Sequence, residues 1–467
     1  MTDGSHRSDS ASGGPDSGSR LIRQRGLGRS VAALTLARMV AILAQFAAGV
    51  LAARLLRPEA LGVASVGLSV GWAVAIVANA GLNISAIYHL GRRPDDRTRL
   101  VQALIPLAGA ALTLAMLVAI GLAPIVGRTA LHAEGAGAIP WSLFVCAGLL
   151  AIATIAYEIA GAILLGIGDR RSFVLGDVVR SVAILLAVAV LLVGPARTAT
   201  GYVAATALGV VGPAVYLIRR VRSHTGTLRP RWDAGFARDA IRTGLTGQLG
   251  NILTFVNLRL DALLVPVFVS LDSAGVYFVA TRVSEVVAQL STAAAAILFP
   301  HIAASTDRTS TVTTERAGRL TLTATLSAGA VLAAVSAPLL GLVFGASYRR
   351  GTWALVLLLV AMLPLGLGRI LSADLKGRGR VGVVSIAAGV GAAVTVVADV
   401  ALLPRWGIAG AAVASILAYG TTAGVLVVAF CRSTGAGPLT LCPRVVDVVD
   451  LFLVVRRQLP SRGSAGA

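Results

Sequence analysis

Inside its long apolar stretches the chain carries a few groups that hydrocarbon does not tolerate alone. They are Arg38 and Gln45; Asn79 and Asn83; Gln248, Asn251, Asn257, Arg259 and Asp261; and Arg282, Glu285, Gln289 and Thr292. A mid-membrane arginine costs about 2.5–3.5 kcal/mol on insertion scales, so each such position calls for a partner, water or a ligand. Spacing sorts them. Arg38 and Gln45 are seven apart and Asn79 and Asn83 four apart, which puts each pair on one helical face. The stripe from Arg282 to Thr292 is about 80° wide at about 100° per residue.

The carboxylates leave alternatives open. Arg282 and Glu285, three apart, either neutralise each other or face a substrate. Arg259 and Asp261, two apart, point away from each other, and by depth Asp261 reaches Arg282 on the next helix. Asp261 and Glu285 therefore serve inter-helix pairing or the loading of an ion. Asp177 with Arg180, Glu158, and Arg369 with Asp374 read as structural or interfacial groups.

Other chemistry finds little support. No Gly-x-x-x-x-Gly-Lys-Ser/Thr loop is present, so ATP is not used in that way, and the 5 His are scattered. Cys146, Cys431 and Cys442 have neither metal-ligand spacing nor a disulfide framework. A membrane polymerase or glycosyltransferase needs catalytic groups on a sizeable outer loop. The longest here, about Arg128 to Ala138, offers only His132 and Glu134. No cofactor or metal is expected.

The elements that position these groups are membrane spans. With 56% hydrophobic and 13% charged residues and a mean hydropathy of +0.83, the chain is more apolar than a soluble core requires. Twelve stretches reach the roughly 20 residues a crossing needs, at approximately 30–52, 61–85, 100–127, 139–164, 173–194, 198–218, 240–267, 273–300, 319–345, 351–373, 381–403 and 407–431. The net charge of +20 comes with no aromatic-interleaved basic platform, which argues against nucleic acid. Most of the 41 basic residues instead fall on one side of the spans, densest from Arg219 to Arg242, placing both termini in the cytoplasm.

The chain is also written twice. Leu55-Leu-Arg-Pro-Glu-Ala-Leu-Gly-Val63 returns as Phe268-Val-Ser-Leu-Asp-Ser-Ala-Gly-Val276, an offset of 213 between Gly62 and Gly275. Gly166 and Gly377 are offset by 211, Gly201 and Gly410 by 209. The expected fold is an all-α integral membrane protein of about 12 transmembrane helices, in two six-helix halves related by a pseudo-two-fold axis along the membrane normal. Residues 1–29 form a disordered cytoplasmic tail and the first span is the insertion signal. The halves run over 30–218 and 240–431, joined by a basic linker at 219–239, and a tail at 432–467 carries a short interfacial helix near Arg444–Arg457.

Several motifs carry a resemblance. Arg259-Leu-Asp-Ala-Leu-Leu264, Ser273-Ala-Gly-Val-Tyr-Phe-Val-Ala-Thr-Arg282 and Leu298-Phe-Pro300 resemble the central signature of polysaccharide flippases of the O-antigen type. These belong to the multidrug/oligosaccharidyl-lipid/polysaccharide exporter superfamily. Leu51-Ala-Ala-Arg-Leu-Leu-Arg-Pro-Glu59, Leu375-Lys-Gly-Arg-Gly-Arg380 and Leu403-Pro-Arg-Trp-Gly-Ile-Ala-Gly410 add to it, and the similarity covers roughly 26–431. Arg57 stands where the family usually has Gly, and Leu61 where it has an aromatic. The resemblance implies a cleft lined by helices 1, 2, 7 and 8, the four that hold most of the polar groups. It implies a transporter, not an enzyme, in the cytoplasmic membrane, moving a polyprenyl-diphosphate-linked oligosaccharide outward for cell-surface polysaccharide synthesis. Glycan polymerases or glycosyltransferases are its expected partners, besides membrane lipid.

On that reading Gln45, Asn79, Asn83, Asn251, Asn257 and Gln289 meet the sugar. Arg38 and Arg282 meet the diphosphate, with Arg259 nearer the exit. Membrane potential drives the step, or an ion gradient does through Asp261 or Glu285. The absence of a thirteenth and fourteenth helix argues against lipid II as cargo. The main rival is a multidrug or other small-molecule exporter with two parallel halves, of which Gly91-Arg-Arg-Pro-Asp-Asp-Arg97 is a loose echo in the wrong residue order.

Overall fold

The computed structural model describes residues 37–131, 139–194, 196–303, 307–444 and 446–447. The expected N-terminal tail, residues 132–138 of the expected outer loop and nearly all of the expected C-terminal helix lie outside them. The N-terminal half holds α1 (Ala37–Leu55), α2 (Pro58–Asn79), α3 (Leu82–Arg92), α4 (Arg97–Leu131), α5 (Trp141–Ile167), α6 (Arg170–Val193) and α7 (Ala199–Thr225). The C-terminal half holds α8 (Ala234–Phe268), α9 (Leu271–Ala303), α10 (Asp307–Ala334), the short α11 (Ser336–Leu339), α12 (Thr352–Gly377) and α13 (Val381–Thr434). In hydrocarbon every backbone polar group must be satisfied within its own segment, which is why apolar runs of this length settle as helices.

Two breaks reconcile these helices with the twelve expected crossings. Ala80 and Gly81 both take left-handed backbone (φ 48° and 76°) and divide the second crossing into α2 and α3. At 54 residues, α13 is about 80 Å long, too long for one crossing of a core about 30 Å thick. It reverses at Gly407 (φ 56°, ψ −139°), a conformation that favours glycine. Its limbs then run side by side, since a Cβ on Gly391 would meet the Thr422 hydroxyl at 2.0 Å. Among the described residues the fold is all helix, in two halves, as expected.

The repeat read from the glycines has a structural counterpart. Gly166, closing α5, packs on Ala86 and Leu90 of α3, and Gly377, closing α12, packs on Phe299 and Ile302 of α9. Gly201 and Gly410 each lie against the backbone of the preceding turn, at Ala196 and Leu402. Gly62 and Gly275 meet each other. A Cβ on Gly62 would fall 1.7 Å from the Leu271 carbonyl oxygen, and one on Gly275 1.9 Å from that of Pro58. The repeat-related α2 and α9 therefore touch backbone to backbone along the seam between the halves. Gly62→Ala cannot be accommodated by a side-chain shift, so we expect a loss of about 1–3 kcal/mol, the usual cost of overpacking, read as a lower melting temperature of the purified protein.

That seam is fastened at one end. Arg54 donates through Nε to the Val343 carbonyl at 2.7 Å and through Nη2 to that of Leu342, in the π-helical turn Leu340–Phe344. Arg350 pairs with Asp272, and Phe46 meets Phe344 edge to face at 5.8 Å. The opposite end gathers the arginines of the α3–α4, α5–α6, α7–α8 and α12–α13 connections. There Arg99 pairs with Asp233 at 3.0 Å, fixing the linker to the N-terminal half. Asp169 caps α6 through the Ser172 amide. Burial opposes its charge, yet hydrogen bonds with His224, Ser172 and Arg220 hold its carboxyl well below the usual carboxylate range. Asp374, assigned to Arg369 from the sequence, pairs instead with Arg378 at 2.8 Å and accepts from Thr314 at 2.7 Å.

Candidate functional site

Arg259 of the seventh crossing and Arg282 of the eighth converge on Glu285. Its Oε1 lies 2.7 Å from Arg259 Nη2 on α8 and its Oε2 3.3 Å from Arg282 Nη1 on its own helix, α9. Both guanidinium groups sit over the Trp72 ring of α2, at 5.6 and 5.2 Å, and Arg282 also sits over Phe278 at 5.0 Å. Trp72 brings a π face from the other half, which favours cations in a setting where water is scarce. The side chains of Arg259, Arg282 and Glu285 remain 24%, 28% and 29% accessible, so two positive charges on one carboxylate keep an open face toward the cleft.

The lock expected between Asp261 and Arg282 is not formed. Asp261 is buried, accepts from the Tyr277 hydroxyl and takes the Ala262 amide at 2.7 Å. Matching residues by depth overlooked the tyrosine, whose hydroxyl reaches the carboxylate first. The seventh and eighth crossings are nonetheless tied twice, by Arg259–Glu285 and by Tyr277–Asp261.

Two clefts adjoin the cluster. One, about 70 Å³, lies between α1 and α9 and brings Gln45 to Arg282, Glu285 and Gln289. Gln45 there donates to Ser181 Oγ at 3.0 Å. The other, about 290 Å³, is lined by Asn83, Glu158, Gln248, Asn251 and Arg259. Within it Asn251 donates to Gln248 at 3.2 Å, while Gln248 donates to the Ile76 carbonyl across the seam.

Three expected site residues stand elsewhere. Asn79 is fully buried and donates to Glu158 at 2.8 Å. Asn257 accepts from Thr395 at 2.9 Å and donates to Thr422 at 3.2 Å, tying α8 to both limbs of α13. Arg38 lies 3.5 Å from Asp177, which also holds Arg180 at 2.6 Å, so its partner is on α6 and not within its own turn.

Two charged groups went unremarked or misplaced in the sequence. Asp399 of α13 is 0% exposed, and neither carboxylate oxygen has a hydrogen-bond partner among the described residues, while Asp261 is within electrostatic reach. Arg369 of α12 donates to the Ala288 carbonyl at 2.6 Å and to Thr292 at 2.7 Å, facing a cavity in the C-terminal half. No group of three or more His, Cys, Asp or Glu able to hold a metal occurs among the described residues.

Comparison with known proteins agrees with this architecture. Residues 169–353 match the model of a family described as polysaccharide biosynthesis protein, a stretch that includes Arg259, Arg282 and Glu285. No curated protein matches the chain in sequence. Among solved structures, the lipid II flippase MurJ in an inward closed conformation is similar with a TM-score of 0.73 at 12% identity, over 91% of this chain and 93% of that one. An inward-facing multidrug resistance MATE family transporter of the MOP superfamily gives 0.68 at 16% identity, over 85% and 94%. An outward-facing conformation of such a transporter gives 0.57 at 17% identity, over 86% and 94%. The chain shares the fold of these transporters and is a multi-pass membrane protein.

Proposed function

We propose that the chain is a flippase carrying a polyprenyl-diphosphate-linked oligosaccharide from the inner to the outer leaflet of the cytoplasmic membrane, for assembly of a surface polysaccharide. The observation that carries this reading is the pair Arg259 and Arg282, bridged by Glu285 over Trp72, on the seam between the repeat-related helices. A diphosphate offers such guanidinium groups more acceptor oxygens than one carboxylate does, so it competes for them as it arrives. The amides of Gln45, Asn83, Asn251 and Gln289 in the adjoining clefts replace water around sugar hydroxyls, each of which costs several kcal/mol if carried bare into hydrocarbon. The polyprenyl tail stays in lipid.

The arginine-rich end is then cytoplasmic, and the end fastened by Arg54 and by Gly62 against Gly275 is the outer gate, closed here. Alternating access opens it by rocking the halves about the seam. Vesicles holding the purified chain and a fluorescent lipid-linked oligosaccharide test the reading. In cells, loss of the gene leaves lipid-linked glycan in the inner leaflet if the chain is a flippase. Unchanged glycan lipids together with drug sensitivity would favour a small-molecule exporter.

Energy enters as membrane potential or as an ion. A buried carboxylate without a partner takes up a cation or a proton, which makes Asp399, beside Asp261, the stronger coupling candidate in the C-terminal half. Asp399→Asn is expected to keep flipping but lose its response to an imposed proton or sodium gradient, with a melting temperature no lower than that of the unaltered protein. A response that persists in this variant would remove Asp399 from the coupling path.

A further inference from the structure

We infer that the C-terminal half contains a second anion site, distinct from the Arg259–Glu285–Arg282 cluster, which takes a phosphate group joined to an apolar chain. A cavity of about 460 Å³ opens among α8, α9, α12 and α13, within the range of about 300–1,000 Å³ usual for small-molecule sites. Two cations line it, Arg369 and Lys376, and no carboxylate does. They are seven residues apart on α12, hence on one face and about 10 Å apart along the axis. Lys376 is exposed, whereas Arg369 is partly buried.

The hydrogen bonding of Arg369 leaves room for a ligand. Its contacts with the Ala288 carbonyl, Thr292 and, at 3.4 Å, Ser291 all run through Nη1. Nε and Nη2 have no hydrogen-bond partner among the described residues, and neither is sealed from the cavity. A guanidinium fixed by one nitrogen and free at the others is set to meet a phosphate. The charge of Glu285, the carboxylate within electrostatic reach, is already shared by two other arginines.

The remaining lining decides what the anion is attached to. Leu258, Phe299, Pro364, Leu365, Val384 and Leu426 form apolar walls, with three threonines, Ser372, Tyr419 and Asn257 at intervals. Asn257 is already occupied by Thr395 and Thr422. Organic cations would meet two like charges here, and the isolated hydroxyls leave the apolar walls as most of the surface. An alkyl or isoprenoid phosphate loses little: its charge goes to Arg369 and its chain to the walls. Lys376 at the mouth draws the anion in from the arginine-rich end.

The test needs no transport, so its outcome is independent of the flippase reading. The purified full-length chain in zwitterionic nanodiscs is photolabelled with a diazirine-bearing alkyl phosphate, and labelled peptides are mapped by mass spectrometry. Labels are expected on the α8, α9, α12 and α13 residues that line the cavity. Excess decyl phosphate should displace the probe, while decyltrimethylammonium and inorganic phosphate at the same concentration should not. Arg369→Gln should lower labelling about tenfold or more, Lys376→Gln several-fold, and Ala296→Phe should remove it by filling the space with both charges in place. Labelling unchanged by Lys376→Gln and Ala296→Phe overturns the site, even if Arg369→Gln fails to fold. Equal displacement by the ammonium compound overturns its anion selectivity, and equal displacement by inorganic phosphate overturns the need for an apolar chain.

Discussion

Arg282→Ala is expected to reach the membrane at normal abundance and to flip its cargo about ten to a hundred times more slowly. The asymmetry follows from Glu285. Once Arg282 is gone, that carboxylate keeps its closer bond, 2.7 Å to Arg259, so no charge is orphaned and α8 stays tied to α9. On the proposed reading the diphosphate, however, loses a charge-assisted contact worth about 1.5–3 kcal/mol, which sets the range of the rate effect. Quantitative immunoblotting beside a vesicle flipping assay separates the two effects. A low abundance that accounts for the lost transport would assign Arg282 to folding alone. Arg38→Ala is the milder companion, since Arg38 lies toward Asp177 and α6, outside both clefts.

Glu285→Ala is expected to do the reverse and damage folding first. It leaves two guanidinium groups over one indole ring with no counter-charge between them. Breaking a buried pair by removing one partner costs about 3–5 kcal/mol. Because these side chains are about a quarter exposed, solvent screening brings the figure down to about 2–4 kcal/mol. Abundance and melting temperature should fall, and adding Arg282→Ala to the same chain should recover part of the loss, because only one cation then lacks a partner. Such coupling between neighbours is what a double-mutant cycle measures. Normal abundance of Glu285→Ala alone would mean that the arginines have water or lipid phosphate for partners.

Both expectations rest on a geometry that the sequence disclosed unevenly. The repeat was legible because backbone contact admits only glycine: Gly62 and Gly275 meet at the seam, and Gly166 and Gly377 close equivalent helices. The α9 stripe was legible because three- and four-residue spacing holds on any straight helix, and Arg282, Glu285 and Gln289 do share one cleft. What crosses between helices was not legible. Glu285 chose Arg259 as well as Arg282, and Asp261 chose Tyr277, from partners that sequence spacing does not rank. Arg369 and Asp374 are five apart, about 140° around the helix, so they diverge, and Arg378 one turn beyond Asp374 takes the carboxylate. Asp399 escaped notice as a single charged residue in an apolar run. Only the packing of α13 shows it to be sealed and unpartnered.

The C-terminal half holds the charged groups that stand open or unpartnered near the seam. Its cavity, its unpartnered aspartate and both arginines of the seam lie on α8, α9, α12 and α13. The N-terminal half contributes the Trp72 face, Gln45 and Asn83, while its Asn79 is tied to Glu158.

The most direct measurement is the appearance of a lipid-linked oligosaccharide on the outer face of vesicles containing the purified chain, under an imposed inside-negative potential. The account predicts protein-dependent exposure that quickens with potential, since each anionic charge moving outward gains about 2.3 kcal/mol per 100 mV, and that slows in Arg282→Ala. Exposure no faster than in protein-free vesicles would contradict it.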